Sequence, residues 1–162
     1  MWRYNPLTGN LDKVGLINVA PLCTITSTAW DIPPDNINLA VDGNPDTATG
    51  IGQRTLSTAG TIGNVHLEPP KGIYLVGVKF SFWSDGSGKV LARIYSEDMS
   101  GTLHLTGIIA DYMNKNSEFE RNGLATIVTI DNTFKRVVLS FRGNEADTYY
   151  IKIYEIFLFK II

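Results

Sequence analysis

Five segments of this chain share one texture, and that texture limits the folds open to it. In "IYLVGVKFSFW" (73–83) the residues Val76, Val78, Phe80 and Phe82 fall on one phase of an alternating run rich in β-branched and aromatic side chains. "KVLARIYSE", "LATIVTI", "RVVLSFRG" and "YYIKIYEIFLFKII" repeat the pattern. Turn clusters lie between them: "SDGSGK", "EDMSGT", "NKNSEFERNG", "DNTFK" and "GNEAD". We find no internal repeat and no apolar pattern of helical period, so the sequence predicts an all-β sandwich or barrel.

With 162 residues, 44% of them hydrophobic, one substantial core is expected and two domains are not. The opening "MWRYNPLTGNLDKVG" carries turn signals and few aliphatics, without alternation. We divide the chain into a leader or anchoring arm over 1–16 and a sandwich domain over 17–162. The alternative is a strap lying over one sheet.

Composition removes several function classes. The formal net charge is -2 and no run of Lys or Arg occurs, so nucleic acid is not an expected partner. No apolar stretch approaches the ~20 residues of a membrane span, and the N-terminus lacks the apolar core of a secretory signal. Cys23 is the single cysteine, expected as a small buried hydrophobe in a reducing compartment. His66 and His104 have no partner at zinc-ligand spacing. No nucleophile elbow is present, and "SDGSGK" reads as a hairpin turn, not a phosphate-binding loop. The carboxylates Asp85, Glu97, Asp98, Asp111, Glu118 and Glu120 fall in polar contexts where solvated surface is the expectation. No enzyme is expected.

Two features point to bound chemistry. In "LAVDGNPDTATG" (39–50), Asp42, Asn44 and Asp46 alternate as oxygen ligands do around a hard cation, with Gly43 permitting a sharp turn and Pro45 stiffening it. The spacing starts like an EF-hand but fails at Thr47 and Gln53, where that loop needs Gly and Glu. Strict alternation in "IKIYEIFLF" puts Glu155 on one face with Ile151, Ile153, Phe157 and Phe159. A carboxylate in such company must be protonated, paired with a cationic side chain or metal-bound, unless a β-bulge turns it outward.

"ITSTAWDIPPDNINLAVDGNPDTATG" (25–50) resembles the opening of discoidin, or coagulation-factor type C, domains and related modules of the galactose-binding-like superfamily. The likeness extends loosely through "VHLEPPKGIYLVGVKFSFW" to the Glu-bearing final strand "YYIKIYEIFLF". It implies an eight-stranded jelly-roll sandwich with a structural Ca²⁺, held by the Asp42, Thr47 and Glu155 side chains and the Leu39 and Asn44 carbonyls. Departures from the family pattern fall at "TATGIG" and "HLEPP". Sugar-binding members stack pyranoses on loop aromatics beside polar groups, which implies Trp30, Gln53, Arg54 and Trp83 as ligand residues. Of the tryptophans, Trp30 is expected to be exposed and Trp83 buried.

The leader "WRYNPLTGNLDKVG" resembles openings of virion structural proteins of tailed bacteriophages. That implies a homo-oligomeric particle component made in the host cytoplasm, with capsid or tail proteins as partners and host surface glycan as a target. The rivals are a purely structural virion protein and an accessory module of a glycan-degrading enzyme.

Overall fold

A computed structural model describes residues 2–5, 10–13, 18–44, 46–113 and 121–161, of which 2–5, 10–13, 110–113 and 121–125 are described as backbone alone. Eleven strands are present among them. β1 (Trp2–Asn5) and β2 (Asn10–Lys13) pair antiparallel as a separate two-stranded sheet, so the described part of the leader is a hairpin.

The rest is a jelly-roll β-sandwich of two antiparallel sheets. One sheet has the order β3-β5-β10-β7-β8, from Thr24–Thr28, Gly60–Glu68, Phe134–Gly143, Val90–Asp98 and Leu103–Met113. The other has the order β4-β11-β6-β9, from Ile51–Leu56, Asp147–Lys160, Gly72–Ser84 and Arg121–Ile130. From β3 onward the chain changes sheet at every connection except β7 to β8. "SDGSGK" is therefore an arch between sheets and not a hairpin. Asp147 holds it by accepting from the Gly86 and Gly88 amides at 2.9 and 2.8 Å. Gly88 is required there, since a Cβ would stand 2.5 Å from the Tyr149 hydroxyl oxygen.

Inner faces follow from the alternation. Val76, Val78, Phe80 and Phe82 of β6 are buried as expected, opposite Val65, Leu67, Val137, Leu139 and Phe141 of the other sheet. Such side chains contribute roughly 1.5–3 kcal/mol each on full burial.

The last strand departs from strict alternation. Ile153 pairs with Phe80 and Glu155 with Lys79, which leaves Tyr154 as the extra residue of a β-bulge. Beyond it the core positions pass to Ile156 and Leu158. Phe157 and Phe159 move to the other face and stack on each other at 5.8 Å. The expected apolar row of Ile151, Ile153, Phe157 and Phe159 is thus half right, because one inserted residue inverts everything after it.

Glu97 also departs from expectation. It is buried on β7 and lies 3.1 Å from Lys135 Nζ, 3.7 Å from Arg136 Nη1 and 3.5 Å from His66 Nδ1. Burial pushes the His66 pKa down, against the pull of Glu97. This is a structural charge cluster, paired as buried charges must be. Asp98 is likewise occupied locally, accepting from Ser100 and Thr102. Glu118 and Glu120 lie outside the described residues, as does the Asp111 side chain. Cys23 is half-buried, with Val19 O 3.5 Å from its sulfur.

Candidate functional site

The first candidate is a notch on the edge of β11. Toward its start, β11 is covered on that edge by β4 and then by Thr49, whose N–H donates to Ile153 O at 2.8 Å. Toward its end, the edge is covered by Val19, whose N–H donates to Leu158 O at 2.8 Å. The bulge and Glu155 lie between these two covers. Glu155 is fully buried: the bulge is present, but it does not expose the carboxylate. Asn18 Nδ2 donates to Oε1 at 3.3 Å, while Oε2 has no hydrogen-bond partner.

The polar loop of residues 42–47 supplies the other side. A 3-10 helix, Ile37–Val41, buries Ala40 and Val41 and delivers Asp42 at its end. Gly43 then turns the backbone with φ +82°, the left-handed region that glycine enters without penalty. Asp42 Oδ1 accepts the Asn44 N–H at 2.8 Å, and Oδ2 accepts from the Thr47 hydroxyl at 2.7 Å. The Asn44 carbonyl is 2.8 Å from the same hydroxyl, and Leu39 is half-buried in the 3-10 helix. Pro45 lies outside the described residues.

Glu155 and Asp42 lie close enough for their carboxyl groups to interact. Burial, reinforced by the Asp42 charge, pushes the Glu155 carboxyl from its ordinary 4.5 to about 7. Asp42 moves the other way, held low by the Thr47 hydroxyl and the Asn44 N–H. Two adjacent carboxylates, a hydroxyl, an amide oxygen and nearby carbonyls form an oxygen-rich set of the type a hard cation takes. Among the described residues no group of three or more His, Cys, Asp or Glu side chains comes together as a metal site, so a cation here would rely on neutral oxygens for most of its shell. Of the expected ligands, the structure brings Asp42, Asn44, Thr47 and Glu155 to one place. Asn18 carried no sequence signal, lying 137 residues from Glu155.

The second candidate is the outer face of the four-stranded sheet. Register puts Gln53 of β4, Tyr150 of β11 and Trp83 of β6 in one cross-strand row. Phe82 and Ser84 take the inward positions beside Trp83, so its indole faces outward and is half-buried, against the expectation of a core tryptophan. The Trp83 and Tyr150 rings stack 5.0 Å apart and 8° from parallel. Stacking covers one face of each ring and leaves the opposite faces free of the pair. The Tyr150 hydroxyl donates to Asp85 Oδ2 at 3.2 Å. Tyr150 was legible in "YYIKIYE" as the outward phase of the same alternation that places Ile151 inward.

The other two expected ligand residues have structural work. Trp30 is not the exposed loop aromatic of expectation. A Cβ on Gly63 would come within 2.0 Å of its ring and one on Gly52 within 2.7 Å, so the indole is wedged against a glycine of each sheet. It packs on the core 6.2 Å from the Phe141 ring, with Nε1 buried and unpartnered. Arg54 pairs with Asp31 at 3.7 Å and donates to the Ala29 carbonyl. Arg54 also lines a shallow pocket of about 420 Å³ made by residues 54–61.

No protein-family model matches this sequence, and neither does any curated protein. Solved structures do match. SpGH29 aligns at 11% identity with a TM-score of 0.51, over 89% of this chain and 28% of that one. The Clostridium thermocellum endo-1,4-β-D-xylanase 10B, as CBM22-1–GH10 modules complexed with xylohexaose, aligns at 12% identity and TM-score 0.50, over 90% and 27%. CpGH89CBM32-4 from Clostridium perfringens, in complex with GlcNAc-α-1,4-galactose, aligns at 12% identity and TM-score 0.48, over 91% and 96%. The fold is shared. The chain spans 14% to 28% of the longer chains that it matches.

Proposed function

We infer that this chain is a non-enzymatic carbohydrate-binding β-sandwich with its binding platform on the outer face of the four-stranded sheet. The stacked Trp83–Tyr150 pair carries the reading: aromatic faces take the apolar face of a sugar ring, and Gln53 and Asp85 beside them suit its hydroxyls. The fold it shares with xylanase modules complexed with xylohexaose supports the same conclusion. Trp83→Ala and Tyr150→Ala are each expected to weaken glycan binding about tenfold, the factor that about 1.4 kcal/mol of lost stacking gives. Their melting temperatures should stay close to wild type. Glycan arrays followed by titration calorimetry measure this, and a wild-type protein silent on every glycan at high concentration would leave a purely structural role.

The notch at Glu155 is proposed as a structural Ca²⁺ site. Asp42, Thr47 and Glu155 would hold the ion through side chains, with the Leu39 and Asn44 carbonyls completing the set. The buried, unpartnered Glu155 oxygen facing a second carboxylate supports it. Such an ion would pin the loop of residues 42–47 to the last strand and play no part in sugar recognition.

We further propose, on the leader's resemblance to tailed-bacteriophage proteins, that the module is an oligomeric virion component bound to capsid or tail proteins. One observation favours the second reading, an accessory module of a glycan-degrading enzyme: in SpGH29 and in the xylanase 10B modules this fold takes up about a quarter of a longer chain. Mass spectrometry of purified particles separates the two, since an enzyme's accessory module would be absent from them.

A further inference from the structure

Beyond the bulge, the outer face of the four-stranded sheet turns apolar. Register puts Phe159 of β11, Leu75 of β6 and Ile127 of β9 in one cross-strand row, with Phe157 two residues nearer the bulge on the same face. The Phe157 and Phe159 rings stack, and Ile127 is 58% exposed. The solvent face of an antiparallel sheet is ordinarily polar, so a row of three apolar residues there marks a contact surface. The leader offers a surface to match. Its hairpin register pairs Trp2 with Lys13 and Tyr4 with Leu11, and between them Arg3 with Asp12. Alternation therefore places Trp2, Tyr4 and Leu11 on one face of the hairpin and the Arg3 and Asp12 charges on the other. A two-stranded hairpin is marginal by itself in water, and this one has an apolar face to bury against something larger. The leader joins the sandwich at Asn18, which bridges to Phe159, so the hairpin is tethered at the margin of the apolar row. From Lys13 to Asn18 the chain reaches at most about 17 Å, enough to pass to a copy lying against this edge. Ile127 stays open with the chain's own hairpin present, which leaves the row to a hairpin from elsewhere.

We propose that two copies of this chain exchange leader hairpins, the face of each that carries Trp2, Tyr4 and Leu11 seated on the Phe157, Phe159, Leu75 and Ile127 patch of the other. Reciprocal exchange of an identical element closes a two-fold dimer at little cost, because each copy loses and gains the same contact. The area suffices. An aromatic side chain buries about 150–250 Å², so two aromatics and a leucine per hairpin, the matching patch, and a contact made twice remove roughly 1,600 Å² from water, the size of a stable interface. The exchange also leaves the sugar platform open: Phe157 lies about 20 Å along β11 from Tyr150, and a four-residue strand covers only about 14 Å. This gives the oligomer proposed above its contact, and it stands apart from the glycan and virion readings.

The test is the mass of the full chain in solution, by sedimentation equilibrium and light scattering. Wild type should be a dimer at micromolar concentration. Trp2→Ala, which alters the hairpin, and Ile127→Lys, which puts a charge in the patch, should each raise the dimer Kd about thirtyfold or more, as loss of an interface anchor does. Ile127→Val should stay dimeric. Because Ile127 is exposed, the Ile127→Lys monomer should keep the wild-type circular dichroism spectrum, which tells dissociation from misfolding. A monomeric wild type would overturn both the exchange and the oligomer. An oligomer that survives either Trp2→Ala or Ile127→Lys would overturn the exchange alone and leave some other contact to hold the copies together. Any glycan that the wild type binds should be bound equally by Ile127→Lys, so failure here does not touch the platform at Trp83 and Tyr150.

Discussion

Trp30→Ala should destabilise the protein by about 3–5 kcal/mol, the range for truncating a large aromatic in a packed interior. The indole fills the space between Gly52 on one sheet and Gly63 on the other, and it reaches Phe141. Removing it leaves a cavity that the two sheets can close only by moving together. The complementary change tests the same wedge from the other side. Gly63→Ala would drive a methyl to within 2.0–2.3 Å of three indole carbons or ring atoms, so the ring must leave its place. A cost of about 1–3 kcal/mol is expected for such overpacking, measured by urea unfolding. The double variant Gly63→Ala/Trp30→Ala should lose less than the sum, because the methyl then has room. A Trp30→Ala protein within about 0.5 kcal/mol of wild type would mean the indole is an ordinary surface group. For the same reason Trp30→Ala is a poor probe of sugar binding, and Trp83→Ala is the informative one.

Glu155→Gln should change stability in opposite directions depending on Ca²⁺. Without the ion, the folded-state pKa of Glu155 stands near 7, above its ordinary 4.5. A carboxyl with a raised folded pKa adds stability that is fully present below about pH 4.5 and lost as pH rises through 7. In EDTA the wild type should therefore lose on the order of 3 kcal/mol between acid and pH 8 from this group, and Glu155→Gln should lose far less. At pH 8 in EDTA the variant is then the more stable protein. Saturating Ca²⁺ should reverse the ranking, because an ion bound only to the folded wild type adds about 4.1 kcal/mol at a thousandfold excess over Kd. Acidification should then displace the ion only well below pH 7, because protons must outcompete it at Glu155. Thermal melts of both proteins in EDTA and in Ca²⁺, at pH 5 and 8, give the eight numbers needed. A wild-type melting temperature indifferent to Ca²⁺ at pH 8 would show that the notch holds no cation.

The fold was largely legible. Val76, Val78, Phe80 and Phe82 alternate in the sequence and all four are buried, because side chains on successive strand residues must point to opposite faces. The loop of residues 42–47 was also legible, since Asx side chains and a glycine act on their own backbone neighbours. The all-β class and the positions of the described turns are local matters, and the sequence by itself determined them.

What lay beyond the sequence depends on contacts between distant segments. The bulge at Tyr154 leaves no mark in "IKIYEIFLF", because an extra residue is defined only against the strand opposite it. It decides that Phe157 and Phe159 leave the core and that Lys79 shares Tyr154 with Lys152. Both tryptophans end half-buried, one expected exposed and the other buried, for a similar reason. Trp30 is drawn inward by two glycines on different sheets, which only the packed sandwich brings together. Trp83 is held outward because Phe82 and Ser84 occupy the inward phase and Tyr150 stacks beside it. Local propensity set the strands and turns; the pairing register and the meeting of the sheets decided which side chains are exposed to a ligand, because exposure is a property of the assembled neighbours and not of any one segment.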